Sequence, residues 1–406
     1  MIQASSSVQS APPGRRVFFI ANGTCSDNVG GGDIHFFHMA QAAIDAGHPV
    51  QLLGGTALKN HLTPRGLAER MILTDDRKLP RVDLTRFKGQ VLLFGDYLAR
   101  YRRTLGQLDR IGLDDCVYAV TDYWFDALPA IRSRARRKIM ILGMDCPSLG
   151  EILTQGRPDV TGTRLSSLYY WISQNLSLRK FQRCPHKRLL YVHPAMKPRL
   201  LRLGYREDEL TFISNGLDVA CADGIPPQEI IYDAVWIGRV HTQKGIDDLV
   251  ATLSHLAKNV EHFRALIIGK VKEQLAPIIE AAGIAPHVHF TGFVSEAEKF
   301  RLFKSSRLFL MPSHYESWGI VIGEALACGT PVIAYDLDAY RPVFGDFVHY
   351  VPCFDLNGFR IESERLIRGL RNGENYLAGK NLTEFKRRNS WTMAESIFCS
   401  AIEALK

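Results

Sequence analysis

The stretch Tyr315-Glu316-Ser317-Trp318-Gly319-Ile320-Val321-Ile322-Gly323-Glu324-Ala325-Leu326-Ala327-Cys328-Gly329-Thr330-Pro331-Val332-Ile333-Ala334 decides the reading of this chain. Two carboxylates, Glu316 and Glu324, stand eight positions apart. Ser317-Trp318-Gly319 predicts a loop turning into a helix. Ile320, Val321, Glu324, Ala325 and Ala327 follow at nearly helical spacing. Gly329 suits the residue after a helix, because it takes the left-handed conformation with no Cβ to clash. Pro331 cannot continue the helix, and Val332-Ile333-Ala334 reads as a buried parallel strand. Glu324 thus falls on the helix and Glu316 in the loop before it. Free N–H groups at a helix start favour a phosphate or another anion. A carboxylate accepts paired hydrogen bonds from vicinal hydroxyls, such as those of a ribose or a hexose. The plain alternative is one capping and one surface glutamate, and the flanking glycines, Pro331 and the strand weigh against it.

A second segment has matching chemistry. Gly238-Arg239-Val240-His241-Thr242-Gln243-Lys244-Gly245 follows the apolar strand Ala234-Val235-Trp236-Ile237-Gly238 and precedes a helix predicted from Ile246 to about Lys258. A guanidinium and an ammonium five residues later can neutralise a diphosphate without a metal. An exposed basic loop is the simpler reading. Near the N-terminus, the strand Arg16–Ala21 is followed by Asn28-Val29-Gly30-Gly31-Gly32-Asp33. Gly31 and Gly32 would let the backbone approach a phosphate closely, although the loop is not GxGxxG and a plain turn also fits. His35 and His38 on the following helix read as part of a dry or solvated face.

The rest of the chain alternates strands and helices twice over. Apolar runs at residues 47–53, 91–94, 117–121, 139–142, 189–192 and 210–213 predict strands of a first sheet, with a helix at Phe36–Ala46. Runs at 234–238, 265–269, 288–290, 308–311 and 332–334 predict a second. Asn215-Gly216-Leu217-Asp218 is a turn signal between them. The fold class expected is α/β, with two Rossmann-like doubly wound domains and ligands beyond the carboxyl ends of the strands. The boundaries read as a disordered lead-in at 1–14, a first domain at 15–217, a second at 218–383 and a terminal helical segment at 384–406.

Composition bounds the function. A chain of 406 residues with 46% hydrophobic and 23% charged residues is long enough for two cores. It contains no run of 18 apolar residues, so no membrane span is predicted. The lead-in lacks the apolar segment of a signal peptide. Eight scattered cysteines, none in CxxC, and thirteen histidines without metal spacing predict reduced thiols in a cytoplasmic protein and no metal site. The charge of +8 is uneven: residues 1–217 hold 30 Lys and Arg against 19 acids, and residues 218–406 hold 20 against 23. The densest basic runs are Arg132, Arg134, Arg136, Arg137 and Lys138, then Arg179, Lys180, Arg183, Lys187 and Arg188. With the apolar neighbours Trp171, Leu176, Leu178 and Phe181, they suit an anionic bilayer or a phosphorylated acceptor, or form only a solvated helical face. No motif supports nucleic acid.

The twenty residues from Tyr315 resemble the Glu-x7-Glu motif of retaining GT-B glycosyltransferases, family four (glycosyl transferases group 1). The resemblance implies two Rossmann-like domains facing across a cleft, with acceptor bound by the first and nucleotide-sugar donor by the second. It also implies a last helix that crosses back to the first domain. Glu316 would then contact the donor sugar hydroxyls and Glu324 the ribose. Trp318, Gly319, Ile320 and Val321 would offer backbone N–H groups to sugar and diphosphate, with Gly31, Gly32 and Gly238 beside them. Arg239 and Lys244 would stabilise the departing nucleoside diphosphate. Phe293 or Val294, in Phe290-Thr291-Gly292-Phe293-Val294, would read a nucleobase edge. Gly269-Lys270-Val271 departs from the family's Gly-x-Gly turn. Asp122 stands where the family often has a histidine; it is a candidate for holding a donor hydroxyl or the acceptor, and helix capping fits it too.

The function implied is transfer of a hexosyl group from a UDP- or GDP-hexose to a saccharide or lipid-linked hydroxyl acceptor, with retention and with no metal or other cofactor. It would serve glycan, glycolipid or exopolysaccharide biosynthesis, in the cytoplasm or peripherally on the inner face of the membrane. Two alternatives stay open: another sugar-nucleotide enzyme of the same fold, such as an epimerase, and a non-catalytic nucleotide-sugar binder.

Overall fold

The computed structural model describes residues 14–23, 30–75, 87–146, 148–154 and 164–405. Residues 1–13 of the expected lead-in, and Asn28 and Val29 of the glycine-rich loop, lie outside them. Among the described residues the strands form two sheets. The first contains β1 (Val17–Ala21), β2 (Val50–Gly54), β3 (Met71–Leu73), β4 (Cys116–Ala119), β5 (Arg137–Leu142), β6 (Lys187–Tyr191) and β7 (Leu210–Phe212), in the order β3-β2-β1-β4-β5-β6-β7. The second contains β8 (Tyr232–Ile237), β9 (Ala265–Ile268), β10 (Val288–Gly292), β11 (Ser306–Met311), β12 (Val332–Asp336) and β13 (Val348–Pro352), in the order β10-β9-β8-β11-β12-β13. Every neighbouring pair of the second sheet is parallel.

The central strands are largely apolar because both faces of each sheet are covered. Successive side chains of one strand enter opposite cores. Val235, Phe309, Met311, Val332 and Ala334 face the layer of Phe300, Phe303, Ile322 and Leu326. Ala234, Trp236, Leu308, Leu310, Ile333 and Tyr335 face the layer of Leu249, Leu253 and Leu256. In each sheet the strand order reverses beside the first strand: β1 lies between β2 and β4, and β8 between β9 and β11. The loops leaving β8 and β11 therefore emerge side by side at a topological switch point, where open α/β sheets take ligands.

Two compact units divide the chain. One holds the residues up to Ile141 with Leu176–Leu189 and the segment from Glu395 on; the other holds Leu142–Asn175 and Leu190–Ala394. Within the first, the last helix (Trp391–Ala404) lays Phe398 against Phe19 and Tyr118, at 5.9 and 5.0 Å between ring centroids. Arg15 and Arg137 donate to carbonyls at the end of that helix, Ile402 and Leu405, which satisfies acceptors that a helix terminus leaves open.

One expected strand is a helix. Residues 91–94 lie inside the helix Phe87–Leu105. A short apolar run cannot by itself distinguish the two. Phe94, Tyr97 and Tyr101 recur at helical spacing and meet Trp124 and Phe125 of the helix Trp124–Arg132, Tyr97 stacking on Phe125 at 4.1 Å. The basic runs are also thinner than their sequence suggests. Lys138 and Lys187 are buried and donate to main-chain carbonyls of Ser133 and Cys184.

Candidate active site

The loops after β8 and β11 are tied together residue by residue. Gly245 has φ +60°, and a Cβ there would stand 1.9 Å from the carbonyl oxygen of Pro312. Only glycine lets the two backbones come this close. The His314 N–H donates to the Gln243 carbonyl at 2.8 Å, and the Gln243 side-chain amide donates to the Tyr315 carbonyl at 2.7 Å. His314 Nε2 lies 2.9 Å from Asp248 Oδ2, which also accepts from the Tyr335 hydroxyl at 2.7 Å. This lacing brings Lys244 Nζ onto Glu316 Oε1, with both side chains largely buried. Arg239 stays exposed at the end of β8, and no ion pair holds it among the described residues. A pair of cations and a carboxylate thus line the switch point.

Gly319, at φ +83°, starts the helix Ile320–Ala327, and Gly329, at φ +77°, follows its end. The N–H groups of Ile320 and Val321 fall in its first turn, where no intrahelical acceptor exists. Trp318 is fully buried, its ring against Phe344, so its side chain belongs to the core. One turn further on, Glu324 is buried, and Lys299 Nζ lies 2.7 Å from its Oε1. Its Oε2 is buried with no hydrogen-bond partner. Burial raises the Glu324 carboxyl above the ordinary range, and Lys299 pulls it back down. For Lys299, burial opposes the charge, but Glu324 and Glu296 outweigh it and hold the ammonium above its ordinary value. Each partner thus favours the charged form of the other against burial.

At the far side of β8, the Gly269 N–H donates to the Gly292 carbonyl at 3.0 Å, with both glycines at positive φ. Phe293 follows, 78% exposed, with the Lys270 ammonium 5.4 Å from its ring centroid. Val294 instead packs against the core.

In the first unit, the candidates lie at the ends of β1 and β4. Gly31 and Gly32 begin the helix Gly31–Asp45, and a Cβ on Gly32 would meet nothing within 4 Å. Asp122 is buried just after β4; the cap of the next helix falls on Tyr123, with no side-chain cap bond. The acid that joins these two loops is Asp126, which sequence reading missed. It accepts from the Asn22 N–H and the Thr121 hydroxyl, each at 2.6 Å, and burial pushes it up to about 7. Lys299 was missed as well. Its signal was faint: a cation in helical phase with Phe303, on the side that must be buried.

The family pattern described as glycosyl transferases group 1 matches residues 229–368, which span the loops after β8 and β11 and the helix of Glu324. The phosphatidyl-myo-inositol mannosyltransferase of Mycobacterium leprae is 27% identical over 66% of this chain and 75% of its own. That of Mycolicibacterium smegmatis is 37% identical over 36% of this chain and 40% of its own. The crystal structure of Anabaena HepE in complex with UDP-glucose superposes with a TM-score of 0.70 at 15% identity, covering 97% of this chain and all of that one. The segment that carries the Lys244 and Glu316 loops thus matches the glycosyl transferases group 1 pattern, and the chain has the two parallel-sheet α/β domains of the GT-B fold.

Proposed function

We propose that the protein is a retaining glycosyltransferase that moves a hexosyl group from a UDP- or GDP-hexose to a hydroxyl acceptor. The observation that carries the reading is the Lys244–Glu316 pair, set between the ends of β8 and β11 beside an exposed Arg239. In this reading the bond from the anomeric carbon to the diphosphate oxygen breaks, and its electron pair leaves with the diphosphate. Arg239, Lys244 and the N–H groups of Gly319, Ile320 and Val321 stabilise that charge. The acceptor oxygen bonds to the same face of the anomeric carbon, and its proton passes to a diphosphate oxygen. The cations are the protein's own, so the reading assigns no step to a metal. Glu316 holds Lys244 and accepts from the hexose hydroxyls. The unpartnered Glu324 Oε2 accepts from the ribose. Phe293 and Lys270 flank the base, and Asp122 serves the acceptor side.

The acceptor is a saccharide or a lipid-linked hydroxyl. Two observations favour the lipid. Relatives are named for phosphatidyl-myo-inositol. On the helix Arg164–Gln182, Ile172, Leu176, Arg179 and Lys180 are exposed at helical spacing, with Arg183 continuing the line. An apolar-then-basic stripe suits the anionic inner face of a membrane. No helix among the described residues is long and apolar enough to cross one.

A thermal-shift panel of UDP-, GDP- and ADP-sugars tests the donor, because a true donor stabilises by mass action. A shift with none of them, or full turnover by Glu316→Ala, overturns the assignment. Co-sedimentation with vesicles containing anionic lipid tests the membrane stripe; binding that survives its neutralisation rejects it.

A further inference from the structure

The helix Glu296–Lys304 turns Phe300 and Phe303 into the core of the second sheet. Lys299 shares that face and is only 8% exposed. A buried ammonium is costly unless paired. Lys299 has two carboxylates, Glu296 Oε2 and Glu324 Oε1, each at 2.7 Å. The Glu296 side chain is 65% exposed, whereas that of Glu324 is 10% exposed, so Glu324 is the buried partner. Pairing consumes Oε1 and leaves Oε2 as a buried acceptor without a donor. Such an atom is costly unless something supplies a hydrogen bond. Two neighbouring hydroxyls of a nucleotide are donors of the right kind.

We infer that Lys299 is a positioning residue for the donor: it fixes one oxygen of Glu324 so that the other is presented to the paired ribose hydroxyls. The inference rests on the donor-site reading of Glu324. Around that carboxylate stand Lys299 and Glu296 from one helix, Asp218 from the turn before the helix Val219–Gly224, and Cys328 at the end of its own helix, while Cys221 faces Lys299 and Glu296. Lys386, on the helix Leu382–Arg388, is engaged by Asp223. Lys299 is the cation in direct contact. Without it, burial acts on Glu324 unopposed and favours the neutral acid, which then carries a proton of its own and accepts poorly from a diol. Ribose recognition is therefore lost as pH falls through the raised value and returns as pH rises.

The test measures UDP and GDP against their 2′,3′-dideoxy forms by titration calorimetry, between about pH 6 and pH 9. Wild type is expected to prefer the ribonucleotide by roughly 10-fold or more. Lys299→Met is expected to lose most of that preference near neutral pH, regain part of it at high pH, and bind the dideoxy form as wild type does. Lys299→Arg restores the preference. Lys299→Gln keeps a hydrogen-bond donor in the core without the charge, and serves if the Met variant does not fold; it is expected to show the same pH-dependent loss. Full ribose preference in the Met or Gln variant, or equal weakening of both nucleotide forms, overturns the inference and leaves the donor site standing. Equal binding of the two forms by wild type, or binding of neither base, overturns the reading of Glu324 itself.

Discussion

Gly245 lies against the carbonyl of Pro312 so closely that no side chain fits between them. The contact is a backbone matter, yet it fixes where a cation and a carboxylate meet. Lys244 precedes this glycine by one residue, and Glu316 follows the proline by four. Separating the two strand exits by a methyl group separates the ion pair.

Gly245→Ala is accordingly expected to do more harm than an ordinary loop substitution. The left-handed conformation alone costs about 1 kcal/mol or more for a side chain, and the clash with Pro312 adds to it. Thermal unfolding should show a lower midpoint, and nucleotide-sugar binding by calorimetry should be lost beyond what the stability change explains. Unaltered binding would show that the loop contact does not set the site.

Glu316→Gln leaves Lys244 without its counter-charge and removes an acceptor. Turnover with the identified donor should fall on the order of 100-fold or more, as when a preorganised charge-stabilising group is removed. Lys244→Arg should not rescue function, because a planar guanidinium does not replace a point charge in the same space. Steady-state kcat and KM of the three chains decide both points.

Asp126 gives a pH prediction. Its carboxyl is fully buried and raised to about 7 from an ordinary 3.8. The native state therefore holds the proton over a range where the unfolded chain has released it. Stability should fall as pH rises from about 4 to about 7, and then level off, by a few kcal/mol from this group. Asp126→Asn should flatten that portion of the profile. Denaturant melts of both chains across the range test it, and parallel profiles would refute the assignment.

Phe398 tests the last helix. The ring is fully buried against Phe19 and Tyr118, and Phe398→Ala should cost roughly 3–5 kcal/mol. Nucleotide binding to the remaining folded protein should be unchanged, since Phe398 packs within the first unit. A loss below about 1 kcal/mol would mean that this helix is not anchored by its aromatic contact.

The sequence alone revealed five of the six strands described in the second sheet, with β13 left unread, and it revealed the helix Ile320–Ala327 with its flanking glycines and the loop of Arg239 and Lys244. These follow from local causes: unbroken apolar runs buried on both faces, glycine at left-handed turns, and proline after a helix end. Whether residues 91–94 extend or coil was settled by Trp124 and Phe125, some thirty residues away, which offer aromatic partners at helical spacing. Tertiary packing likewise decided that Lys244 meets Glu316, that Glu324 spends one oxygen on Lys299, and that Asp126 ties the first sheet's loops. Such pairings depend on which strand lies beside which and on how much water each charge loses, and neither quantity is local to the chain.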